Sequence, residues 1–197
     1  MKKGIAFFDF DGTITTKDTL LEFIKFCKGN LHFYLGFLLY SPHLVAMKLK
    51  LISNQAVKEK VLHFFFNGTP VLRFNEQCEL FTHQILPKLI RKKALDEIQD
   101  LQSKEFHIVI VSASPENWIR HWTNKMNIEL MASKLEEKDG KITGKILGKN
   151  CHGDEKVRRI KEKHTIEDYK EIYAYGDTSG DLPMLKLATQ PFYKPFR

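Results

Sequence analysis

Three short polar clusters in this chain combine residue types that could do chemistry together. The first is Asp9-Phe10-Asp11-Gly12-Thr13-Ile14-Thr15. On an extended strand, carboxylates at i and i+2 point to the same side, so Asp9 and Asp11 crowd each other while Phe10 turns away. Like charges that close require a cation, a proton or a basic side chain between them. Gly12 lets the backbone turn and approach a ligand. The second cluster, Val111-Ser112-Ala113-Ser114, offers hydroxyls and main-chain N–H groups ahead of a helix, an arrangement suited to an anion. The third, Gly176-Asp177-Thr178-Ser179-Gly180-Asp181, again sets carboxylates on a glycine-containing loop before a helix. Lys156, in Gly153-Asp154-Glu155-Lys156, sits at a helix start, where a cation is disfavoured unless a carboxylate or phosphate holds it there. Taken singly, each cluster also reads as an ordinary turn or helix cap, and Lys156 as a solvated lysine.

The elements around these clusters bring them together. Gly4 to Asp9, Phe106 to Ser112 and Ile172 to Tyr175 are short apolar runs that read as buried strands, each ending at one of the clusters. Helical patterns alternate with them, which predicts an α/β fold: a Rossmann-like parallel sheet with helices on both faces and the ligand beyond the carboxyl ends of the strands. Residues 17–88 carry only helical periodicity, predicting an all-helical insertion between a core made of 1–16 and 89–197. Within it, Leu31 to Met47 reads as a helix pair broken at Pro42. Ser114 and Pro115 read as the N-cap and first position of a helix, Leu89 to Ser103 as one amphipathic helix, and Leu182 to Ala188 as the last. Leu130 to Glu137 and Lys141 to Leu147 flank Asp139-Gly140, a hairpin signal.

Composition bounds the alternatives. An apolar fraction of 43% excludes a disordered chain. Cys27, Cys78 and Cys151 have no C-x-x-C spacing, which supports neither a disulfide framework nor a thiolate zinc site and fits a reducing, cytoplasmic setting. The apolar run before Asp9 is too short for a secretory signal. The 31–47 segment, interrupted by His32, Ser41, Pro42 and His43, falls short of the ~20 apolar residues of a membrane span, leaving shallow lipid contact as its functional alternative. A formal charge of +7 invites a nucleic-acid or membrane-surface reading, but the basic runs at 91–93 and 156–161 lack aromatic interleaving and read as solvated faces.

D-F-D-G-T-I-T, V-S-A-S, a lysine before a helix and G-D-T-S-G-D resemble, in order and spacing, the four motifs of the haloacid dehalogenase-like hydrolases. The helical insertion is similar to the cap of the phosphoserine-phosphatase-like subfamily. The resemblance implies a phosphatase in which Asp9 attacks phosphorus and Asp11 is the general acid and base. It implies Mg²⁺ held by Asp9, the Asp11 carbonyl and Asp177, with Asp181 behind them. Ser112 and Ala113, together with Gly12 and Thr13, would bind the phosphoryl group, Lys156 would offset charge, and Asp18 would contact the substrate. This chain has Ala113, Gly180 and Asp18 where that subfamily usually has Gly, Asn and Glu, and Arg73 is the only arginine in the insertion. Relatives tend to continue with a further helix beyond Pro195, so the C-terminal edge is expected to be short. The expected partner is a small phosphorylated metabolite rather than nucleic acid. A phosphotransferase shares the nucleophile, and a non-catalytic surface-binding protein is the reading from a different class.

Overall fold

The computed structural model describes residues 2–49 and 51–197. Among them the elements run β1 (Lys2–Phe8), α1 (Thr19–Lys48), α2 (Asn54–Phe66), α3 (Val71–Gln84), α4 (Leu86–Leu89), α5 (Lys92–Ser103), β2 (Phe106–Pro115), α6 (Asn117–Lys125) and β3 (Glu129–Ser133). After these come β4 (Leu135–Lys138), β5 (Lys141–Ile146), α7 (Asp154–Lys163), β6 (Tyr169–Gly176), α8 (Leu182–Leu185) and β7 (Gln190–Tyr193).

Five strands form one parallel sheet in the order β3-β2-β1-β6-β7. β1 is central because its residues are apolar on both faces. Ile5 and Phe7 enter one hydrophobic cluster, Ala6 and Phe8 the other, and all four are fully buried. With β2 on one side of β1 and β6 on the other, the loops leaving these strands diverge and open a crevice at their carboxyl ends.

The helices from α1 to α4 leave the sheet after β1 and return before α5. The two crossings lie side by side: the Thr16 N–H donates to the Leu89 carbonyl at 2.8 Å, and the Arg91 N–H to that of Ile14 at 2.8 Å. The β4–β5 hairpin packs on these helices, with the Gly68 and Val71 N–H groups donating to the carbonyls of Ile142 and Gly140, both at 2.9 Å. Helices and sheet also share apolar packing. Trp118 of α6 stacks on Phe23 of α1 at 4.7 Å and donates its indole N–H to Thr19 Oγ1 at 3.0 Å.

Several expected boundaries move. α1 continues through Pro42, and its kink falls at Gly29, whose φ of 77° only glycine adopts easily. The 130–137 segment splits. Its first part is β3, paired to β2 (Ile110 opposite Leu130), and only the remainder joins the hairpin, which turns through Asp139 and Gly140 at φ 51° and 69°. β2 runs on to Pro115, which pairs with Ser133, so Ser114 does not cap α6, which begins at Asn117. The expected 89–103 helix breaks at Ile90, which bridges to Thr15. α8 is shorter than the expected 182–188 helix, because the chain there turns to form β7. β7 gave too brief a signal to read: four residues on the sheet edge, where Pro191 is tolerated.

Candidate functional site

β1, β2 and β6 end at one crevice, and the tip of α7 reaches it from the side. Lys156, 1% exposed, donates to Asp9 Oδ1 at 2.6 Å and to Asp181 Oδ1 at 2.7 Å. The Thr13 hydroxyl lies 3.2 Å from Asp9 Oδ2 and 3.1 Å from Asp177 Oδ1, bridging the ends of β1 and β6. Carboxylate oxygens of Asp9, Asp177 and Asp181 come within 4.8 Å of one another, and all three residues are buried. Asp181 is committed on both sides. While Oδ1 takes Lys156, Oδ2 accepts from the N–H groups of Asp177 and Thr178 at 3.2 and 2.9 Å and from the Thr178 hydroxyl at 2.8 Å. Asp177 also pairs with Arg197.

Asp11 turns toward the helical layer. Its Oδ1 accepts from the Thr19 N–H at 2.6 Å and its Oδ2 from the Ser114 hydroxyl at 2.6 Å. That second bond is what occupies the hydroxyl expected to cap a helix. Gly12 has φ 80°, and a Cβ there would lie 2.5 Å from Asp177 Oδ2, so the turn leaves no room for a side chain. Ser112 is fully buried, its Oγ accepting from the Ser114 N–H at 3.0 Å. The cleft wall in that region is formed by Ala113 and Ser114.

The cleft encloses about 340 Å³, with Asp9, Asp11 and Lys156 on its sheet side and Asp18, Asn54 and Lys58 on its helical side. Lys58 was not singled out from the sequence. It reaches across from α2 to donate to the Ala113 carbonyl at 3.0 Å. Arg73, the insertion's arginine, instead borders a separate depression with Cys27 and Lys28. His152, another lining residue without a sequence signal, sits against Gly180, where a Cβ would come within 2.3 Å of its Nε2.

Burial dominates the electrostatics. It pushes the Asp9 carboxyl up to about 7, against the pull of Lys156 and with help from Asp181 and Asp11. Burial also works against charge on Lys156, yet Asp9 and Asp181 hold its pKa above the ordinary value, so the ammonium stays charged. Asp181, disfavoured by burial, is held below the ordinary carboxylate value by Lys156 and Thr178. Burial and the nearby Asp11 raise Asp18 to about 6. Lys58 is pushed down by burial, with Asp18 and Asp11 opposing. Four carboxylates and two lysines line the cleft, with Asp177 just behind. This excess of negative charge and the all-oxygen donors of the Asp9, Asp177 and Asp181 cluster fit a hard divalent cation of the Mg²⁺ type.

Residues 6–186 match the family model described as haloacid dehalogenase-like hydrolase. The chain belongs to that family. The chain is 32% identical over 192 residues to Protein CicA of Caulobacter vibrioides, covering 96% of this chain and 85% of that protein. It is 31% identical over 146 residues to a phosphoserine phosphatase of Streptococcus thermophilus, covering 73% of this chain and 64% of the relative. A solved structure described as a phospho-aspartyl intermediate analogue of phosphoserine phosphatase superposes with a TM-score of 0.69 at 20% identity. It covers 95% of this chain and 84% of that one, a likeness of fold. The haloacid dehalogenase-like assignment accounts for a parallel sheet that carries its polar clusters at the carboxyl ends of its strands.

Proposed function

We propose that the protein, a phosphatase of the haloacid dehalogenase-like hydrolases, hydrolyses a small phosphate monoester through an aspartyl-phosphate on Asp9. The observation that carries this reading is the Lys156 ammonium bound to both Asp9 and Asp181 at the closed end of the cleft. It leaves Asp9 Oδ2 as the oxygen aimed, with Thr13, toward the Asp177 side. In the first step an Asp9 oxygen bonds to phosphorus as the ester oxygen departs, taking a proton from Asp11. In the second, Asp11 takes a proton from water, whose oxygen attacks phosphorus and releases inorganic phosphate and the Asp9 carboxylate.

Mg²⁺ would be held by Asp9, the Asp11 carbonyl and Asp177, and when bound it offsets charge on the phosphoryl oxygens. Asp181 holds Lys156 and the Asp177 loop in place. The Ala113 N–H and the Gly12-Thr13 turn receive phosphoryl oxygens, with Ser112 shaping that loop from beneath through its bond to Ser114. Residues 17–88 act as the cap over this cleft, and Asp18 and Lys58 face the leaving group. The assay is turnover of an aryl phosphate with Mg²⁺: Asp9→Asn is expected to lower kcat at least a thousandfold. Equal turnover by the variant, or none by the native chain, refutes the reading.

A further inference from the structure

Beyond Gly29, α1 turns a row of large apolar side chains to solvent. Leu31 is 70% exposed, Tyr34 65%, Leu35 57%, Leu38 72% and Leu39 63%. Their spacing of three and one residues places them on one stripe of the helix. The opposite stripe is already used: Phe37 stacks near Phe65 of α2 at 6.1 Å, and a Cβ on Gly36 would meet the same ring at 2.4 Å. The outer stripe is therefore not the helix's contribution to the core.

The stripe leads to the cleft. Gly36 and Phe37 of α1 lie against Phe65, close to the end of α2, whereas α2 starts with Asn54 and Lys58 on the cleft wall. The second half of α1 thus runs antiparallel to α2 and delivers the connection to the cleft mouth. That connection adds Leu49 and Leu51, 65% and 73% exposed.

Charge selects the occupant. From Phe23 to Lys58 the sequence contains no Asp or Glu but five lysines; Lys25 is held by Glu22 at 2.8 Å and Lys58 lies in the cleft, which leaves Lys28, Lys48 and Lys50 as the surplus charge. A second copy docked here would set this acid-free stretch against itself. An anionic lipid surface supplies both an apolar layer for the leucines and countercharge for the lysines. Among the described residues no helix is long and apolar enough to cross a membrane, so the contact is one of lying on the surface. We propose that the outer face of α1 seats the protein on an anionic bilayer, with the cleft mouth at headgroup level. Its substrates are then phosphate monoesters of amphiphiles whose chains stay in the lipid. The substrate statement rests on the phosphatase reading; the docking statement does not.

The test uses the full chain and sedimentation with vesicles of phosphatidylcholine alone or with about 30 mol % phosphatidylglycerol. The expected result is partition at least tenfold higher on the anionic vesicles, reduced by high salt and unchanged in Asp9→Asn. In the double variant Leu35→Glu, Leu39→Glu it falls at least tenfold while aryl phosphate turnover and thermal midpoint stay native. In the second arm, turnover of phosphatidic acid in vesicles drops in the double variant although aryl phosphate turnover does not. Absence of partition by the native chain, or equal partition by the double variant, overturns the docking. So does a concentration-dependent dimer that the double variant abolishes, seen without vesicle binding. Vesicle-borne phosphate turned over equally by both proteins, or by neither while aryl phosphate is turned over, overturns the substrate class. Vesicle binding without any aryl phosphate turnover refutes the phosphatase reading alone.

Discussion

Replacing Lys156 by methionine keeps the length and apolar stem of the side chain and deletes the charge that Asp9 and Asp181 share. Both acids are buried, and both hold Lys156 within 2.7 Å. Removing one partner from a buried ion pair costs about 3–5 kcal/mol, because the remaining charge keeps its desolvation penalty. With a urea dependence of about 2 kcal/mol per molar, the unfolding midpoint at pH 8 should fall by about 1.5–2.5 M. The loss should also depend on pH in a defined direction. In the variant, the Asp9 carboxyl lies above its already raised position of about 7, against an unfolded value of 3.8. An acid with a raised folded pKa favours folding below its unfolded value and loses that contribution as pH climbs toward the folded one. Both folded forms keep the Asp9 proton up to about pH 7, so the Asp9 part of the difference should be flat from about pH 4 to 6 and grow only above about pH 7, where the native form alone ionises. Urea titrations monitored by circular dichroism, in EDTA so that no divalent cation substitutes for the ammonium, measure this directly. Adding Asp9→Asn to the variant should recover much of the loss, since the buried charge goes with its partner. A native midpoint for Lys156→Met at pH 8, or a loss independent of pH, would refute the argument.

Gly12→Ala places a methyl where Asp177 Oδ2 stands, at a positive φ, so phosphatase turnover should fall at least tenfold; unchanged kcat and KM would count against the tight turn. Gly144→Ala, whose Cβ would sit 2.3 Å from the His63 Cα, should cost at least about 2 kcal/mol in chemical denaturation by displacing the hairpin from α2. Glu129, bound by His107 at 2.6 Å and Lys163 at 2.8 Å, is pulled down to about 2 by these partners against its burial. Its contribution, ~1–2 kcal/mol after allowance for solvent screening, is present above about pH 4.5 and lost as pH falls toward 2. Glu129→Gln should thus be destabilised at pH 7 and converge on the native chain in acid denaturation. Lys58→Gln is expected to raise KM for an aryl phosphate several-fold with a smaller change in kcat, and the reverse pattern would remove Lys58 from the leaving-group side.

The parallel sheet and its chemical end were legible because β1, β2 and β6 are apolar on both faces and each stops at a polar cluster. What escaped was long-range. Ser114 looked like a helix cap because its sequence neighbourhood is that of a cap, and only the packing of β2 against β1 gives its hydroxyl to Asp11. β3 looked like half of a hairpin because pairing with β2, a strand some twenty residues earlier, leaves no local trace. Lys58 stands one turn after Asn54, but which face of α2 meets the cleft depends on how α1 folds back at Gly29. Pro42 is the more conspicuous helix breaker, yet the φ of 77° that the kink requires falls on the glycine.

Trp118 gives this architecture an optical readout. The chain has two tryptophans, and this one is fully buried, with its ring on Phe23 and its N–H on Thr19 at the start of α1. Any movement that separates the start of α1 from α6 must wet the indole and break that bond, which red-shifts and quenches its emission. Trp122, beside Phe10 at 5.6 Å, stays with the turn that follows β1. A Trp122→Phe protein would therefore carry a single tryptophan where the start of α1 meets α6, able to time any separation of the two helices in a stopped-flow mixing experiment without an attached label.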